Sequence, residues 1–104
     1  MPGTTEARSV PMSLADVRHE IDRLDDRIIE LLALRQRQVA RAAAYKRDEE
    51  GVRAPDRRRQ MIERLRTRAA EVGVDPDVVS QIWNAMIDAF TELEMREHKA
   101  SGPQ

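Results

Sequence analysis

The stretch whose reading decides the fold is residues 14–47, "LADVRHEIDRLDDRIIELLALRQRQVARAAAYKR". Leu14, Val17, Ile21, Leu24, Ile28 and Leu31 recur at spacings of three and four, the signature of one apolar stripe along an α-helix. Continuing the rhythm gives Arg35, Val39, Ala42 and Lys46. Two permanent cations therefore stand where packing residues are expected. At 100° per residue, Arg35 and Lys46 lie about 20° apart around the axis and about 16 Å apart along it. Two long side chains leaning toward each other across that distance can hold a small anion. Arg18 is about 25 Å from Arg35 along the same axis and about 100° round. It cannot serve the same small ligand within one straight helix. In an antiparallel dimer, however, Arg18 of one chain can reach the Arg35/Lys46 site of the other.

Reading outward, the first 12 residues, "MPGTTEARSVPM", are polar and aperiodic and read as a disordered tail. Ser13 is a good N-cap, with Asp16 placed as a weak capping box. The helical pattern then runs unbroken to "DEEGVRAP", where Gly51 and Pro55 predict a helix end and a loop. That makes a first helix of about 35 residues, roughly 50 Å long. The second helix is predicted from Pro55 at its first position to Gly73 as C-cap glycine. The third opens with Asp75 as cap and Pro76 at the first position and continues to about His98, leaving 99–104 as a flexible tail. The expected fold is all-α, one domain over 13–98, with three helices of which the first is the longest.

That first helix is too long for a compact monomer, whose radius of gyration at this chain length is about 13 Å. It would leave apolar stripe in water, and self-association as a two-fold dimer is the simple remedy.

Composition narrows the function. The chain has 36% charged residues and a net charge of −1, so as a whole it is not built to bind polyanions. Seven arginines do crowd residues 53–68, against Asp56 and Glu63, which usually means a solvated face; one near the helix start, Arg57 or Arg58, can still turn inward. The absence of cysteine excludes a disulfide framework and thiolate chemistry. With no apolar signal core and no run of membrane-spanning length, a cytoplasmic location without membrane association is the expectation. His19 and His98 are isolated and read as surface residues, and no clustered metal ligands, Ser/His/Asp set or glycine-rich phosphate loop is present. The third helix carries Val79, Trp83, Met86, Ile87 and Phe90 on one stripe, and Glu94 lies one turn beyond Phe90. Fixed cations with one acid suit a small dicarboxylate, and chemistry driven by electrostatic stabilisation and conformational restriction.

The segments "LADVRHEIDRLDDRIIELLALR", "VARAAAYK", "VRAPDR" and "AMIDAFTELE" together resemble the all-helical (type II) chorismate mutases, over residues 14–98. Related members cleave isochorismate to salicylate and pyruvate or rearrange 4-amino-4-deoxychorismate. The resemblance implies an intertwined homodimer with two sites, each taking one arginine from the partner's long helix. It implies a cofactor-independent isomerase of the shikimate pathway and aromatic amino acid biosynthesis, converting chorismate to prephenate. By position, Arg18 looks like the arginine supplied in trans to one substrate carboxylate, and Arg35 like the ligand of the other. Lys46 matches the lysine that donates to the ether oxygen of the breaking bond, and Glu94 falls where a second donor to that oxygen stands. Arg57 corresponds to the helix 2 arginine at the carboxylate end, and Phe90 to a pocket-lining residue.

Two positions depart from the family pattern. Arg58 stands where a glutamate commonly holds the C4 hydroxyl of the ring, and Ala54 where the preceding loop often has an acid. Arg58 therefore enters the substrate-binding set with its partner undefined. The lyase and amino-analogue activities stay open alongside chorismate mutation. A non-enzymatic helical interaction or nucleic-acid module using the 53–68 arginine face is a fourth reading. The lack of aromatic residues for stacking on that face, together with the near-zero net charge, speaks against nucleic acid.

Overall fold

In the computed structural model the described backbone covers residues 13–45 and 49–101, and side chains are described over 13–45 and 55–97. Three α-helices follow one another: α1 (Leu14–Ala43), α2 (Glu49–Val72) and α3 (Pro76–Ser101). No strand occurs among the described residues, so the all-α expectation holds. The chain divides into two compact units, residues 1–42, which contain nearly all of α1, and residues 43–104, which contain α2 and α3.

The start of α1 is where its sequence places it. The Asp16 amide donates to Ser13 Oγ at 3.2 Å, and the Val17 amide to the Ser13 carbonyl at 3.1 Å, so Ser13 caps the first turn. Arg23 and Glu20 form an exposed ion pair one turn apart. At 30 residues α1 is about 45 Å long, a little shorter than its periodicity suggests. None of its residues is buried. Leu24, Ile28 and Leu31 of the stripe are 60%, 52% and 59% exposed, and so are Ile29 and Leu34, which stand off the stripe on either side. Around Ile28–Leu34 the apolar surface therefore wraps about 220° of the helix, more than a single neighbouring helix covers.

The expected loop before Pro55 is instead helix. α2 begins at Glu49 and carries Pro55 in its interior. Proline lacks an amide hydrogen, so it forgoes the bond to the Gly51 carbonyl and crowds that carbonyl, at a cost of about 3 kcal/mol. A single missing bond does not unwind the neighbouring turn, and most of Glu49–Ala54 is compatible with helix.

At its other end α2 stops as its sequence predicts. Gly73 has φ of 90°, and the Val74 amide donates to the Ala69 carbonyl at 2.8 Å, the long bond of a Schellman turn. A β-carbon at Gly73 would meet nothing within 4 Å, so its requirement is for backbone conformation, not space. Gly73→Ala should therefore lower stability by about 1–2 kcal/mol, the left-handed penalty alone. Thermal unfolding of the variant beside the parent checks this.

Asp75 caps α3: its Oδ1 accepts from the Asp77 amide at 2.8 Å and the Val78 amide at 3.4 Å. α3 runs to Ser101, three residues past the end expected at His98. α2 and α3 pack as an antiparallel hairpin. Its most withdrawn residues are Ala69 and Val79, near the turn; the expected stripe of Trp83, Met86, Ile87 and Phe90 on α3 is half-buried, and so are Met61, Ile62 and Leu65 on α2. The small Ala69 side chain suits the close approach of two backbones there. The N-terminal tail expected over 1–12 lies outside the described residues, as do residues 102–104 of the C-terminal one.

Candidate functional site

Arg18 and Arg35 both stand on the unbroken α1, separated by about 25 Å along its axis. Arg18 is exposed, whereas Arg35, set in the apolar stripe, is half-buried. Lys46, the second cation of that stripe, falls outside the described residues.

On the hairpin, Arg57 is exposed and Arg58 half-buried. Their difference follows from the 100° helical step between neighbours, which can turn only one of them to the facing helix. Arg58 is that one. Its Nε donates to Asn84 Oδ1 at 3.0 Å, one terminal nitrogen donates to Asp88 Oδ1 at 3.0 Å, and the other to the Asn84 carbonyl at 3.3 Å. Further along α2, Arg66 donates to the Pro76 carbonyl at 3.1 Å and to Ser80 Oγ at 2.7 Å, and pairs with Asp77 at 2.9 Å. Both arginines carry the fork geometry that suits several acceptors at once. Outward-facing arginines pair locally instead: Arg59 with Asp56 at 2.7 Å and Arg68 with Glu71 at 3.2 Å. Such exposed pairs contribute at most about 1 kcal/mol each.

Phe90 and Glu94 are half-buried on α3, along the row that begins with Val79 and Trp83. Glu94 is the one carboxylate among the described side chains that is not exposed. Its withdrawal from water is what sets it apart from the fourteen other acids whose side chains are described. Half-buried cations among the described side chains are Arg35, Arg58 and Arg66, and the last two are held by α3.

Of the residues that the sequence proposes for the site, Arg35, Phe90 and Glu94 are withdrawn from solvent in the structure, whereas Arg18 and Arg57 are exposed. Asn84 and Asp88, which receive Arg58, carried no signal: each is one more polar residue on the flank of an amphipathic helix. No group of three or more acidic or histidine side chains able to hold a metal occurs among the described residues. No helix is long and apolar enough there to cross a membrane.

The family model of type II chorismate mutases matches residues 17–95, a span that takes in α1 from its first turn, all of α2 and most of α3. The chain belongs to the type II chorismate mutase family. Comparison with curated proteins and with solved structures returns no significant match. Family membership supports an activity of the chorismate mutase type, an isomerase acting on chorismate or a close analogue.

Proposed function

We propose that the protein converts chorismate to prephenate, as a homodimer whose two sites each draw Arg18 from the partner subunit. The family match carries this reading, and the withdrawal of Glu94 from solvent, alone among the described carboxylates, supports it at the level of chemistry. The wide apolar girdle of α1 around Ile28–Leu34 supports the second copy.

The reaction is an isomerisation: one carbon–oxygen bond breaks, one carbon–carbon bond forms, and every atom and electron stays within the substrate. Its barrier falls when the flexible enolpyruvyl arm is held over the ring. Arg18 of the partner subunit and Arg35 each bind one carboxylate, with Arg57 supporting the carboxylate end and Phe90 lining the pocket. Lys46 and Glu94 donate hydrogen bonds to the ether oxygen, where negative charge builds as the bond stretches. A donor already in place contributes about 3 kcal/mol to such a transition state. An ionised carboxylate has no proton to give, so Glu94 acts in its protonated form.

Incubating the protein separately with chorismate, isochorismate and 4-amino-4-deoxychorismate, and identifying the products, tests the assignment. Prephenate from chorismate, at the highest kcat/KM of the three, is the expected outcome. Salicylate with pyruvate, or preferential rearrangement of the amino analogue, would reassign the substrate. Duplex DNA binding with a steep salt dependence and no turnover would remove the enzyme reading altogether.

A further inference from the structure

Arg58 makes three hydrogen bonds to α3 and none of them to a loop: Asn84 Oδ1, the Asn84 carbonyl and Asp88 Oδ1. Two of the acceptors lie one helical turn apart on the same flank, so the planar guanidinium spans a full turn of α3. A contact between two apolar faces tolerates sliding along the helix axes, because one methyl group packs much like the next. A fork that must meet a side-chain amide, a main-chain carbonyl and a carboxylate together tolerates none. Arg66 makes another such tie near the hairpin turn, where Pro76, Asp77 and Ser80 receive it. Beyond Asp88 lies the open end of the hairpin. Phe90 and Glu94 lie in that stretch, Glu94 about 9 Å past Asp88 along the axis, while Arg57 is the immediate neighbour of Arg58 on α2.

We propose that Arg58 is a positioning residue: it fixes the register of α3 against α2, and so sets where Phe90 and Glu94 stand relative to Arg57. The proposal rests on the chorismate reading for its kinetic consequence only. It also removes Arg58 from the groups that touch substrate, since its charge is met by Asp88 and its donors by Asn84.

The test compares Arg58→Ala, Arg58→Lys, Asp88→Ala and the Arg58→Ala/Asp88→Ala pair in the full-length protein, by chorismate kinetics and by amide hydrogen exchange. A misplacement of about 1 Å can lower a rate by two orders of magnitude, so kcat for Arg58→Ala should fall on the order of 10- to 100-fold. KM should stay within about twofold, because no ground-state contact is lost. Arg58→Lys should recover only part of the loss, since a point-charge ammonium cannot meet Asn84 and Asp88 together. The double variant should be no slower than Arg58→Ala alone, the mark of two residues acting through one tie. Amide exchange should quicken across residues 84–94 and stay unchanged across 69–80, which Arg66 and the Schellman turn hold. A rise in KM at constant kcat would make Arg58 a substrate ligand and overturn the proposal. So would unchanged kinetics with only a lower melting temperature, which is the behaviour of scaffold alone. Should the parent protein turn over no chorismate, the activity reading falls separately, and the exchange data decide the register proposal by themselves. If Arg58→Ala does not fold, Asp88→Asn, which weakens one of the three bonds, is read in its place.

Discussion

Mixing Arg18→Ala protein with Arg35→Ala protein, each nearly inactive, should restore activity. Each variant alone should lose on the order of 100-fold or more in kcat/KM, because a carboxylate of the substrate is left without its charged, bidentate partner. The two arginines stand on one helix about 25 Å apart, so a ligand the size of chorismate cannot reach both in a single chain. In a heterodimer, one site receives Arg35 from the first variant and Arg18 from the second and is whole, while the other site carries both defects. Random exchange makes half the dimers mixed, so activity should climb to about a quarter of the parent value. Sedimentation should show a particle of about twice the 11.9 kDa chain mass. Activity that stays at the level of the separate variants, under conditions where subunits demonstrably exchange, would place Arg18 outside the partner's site.

Glu94→Ala should cost about 2–4 kcal/mol of transition-state stabilisation, in line with the loss of one donor held in place. Glu94→Gln is the more discriminating change. An amide donates at every pH, whereas the acid donates only while it holds its proton. Glu94→Gln, which keeps a donor at that position, should therefore retain activity that Glu94→Ala loses. The kcat of the three proteins, side by side, is the measurement. Full activity in Glu94→Ala, or loss in Glu94→Gln as deep as in Glu94→Ala, would return Glu94 to the status of a helix-end acid.

Much of this architecture is legible in the sequence because helix physics is local. Ser13, Asp75 with Pro76, and Gly73 mark ends by their own hydrogen bonding or backbone preference, and each does in the structure what its chemistry dictates. The inner faces of α2 and α3 follow from a period of 3.6 for the same reason. Pro55 misled because a proline marks a broken hydrogen bond, not a broken helix, and residues on both sides of it are helical. Arg35 and Glu94 were legible as charges in apolar rows, and both are withdrawn from solvent. The role of Arg58 was not. Among seven arginines in sixteen residues, which one meets α3 depends on how the two helices are offset along their axes, and that offset is set by packing between residues distant in sequence.

The split of the chain into a self-contained hairpin and a first helix with no buried residue has a consequence for how the protein is made. The hairpin closes over a turn of three residues, so its contacts form between near neighbours in the chain, the quick kind to find. The first helix, on the proposed assembly, has to wait for a collision with another molecule. Arg57, Phe90 and Glu94 would thus be in place soon after synthesis, while Arg18 and Arg35 become useful only once a second chain has been met. Newly made protein at low abundance would hold its helices and still be catalytically silent, so that the onset of activity tracks the square of its concentration before it tracks the concentration itself.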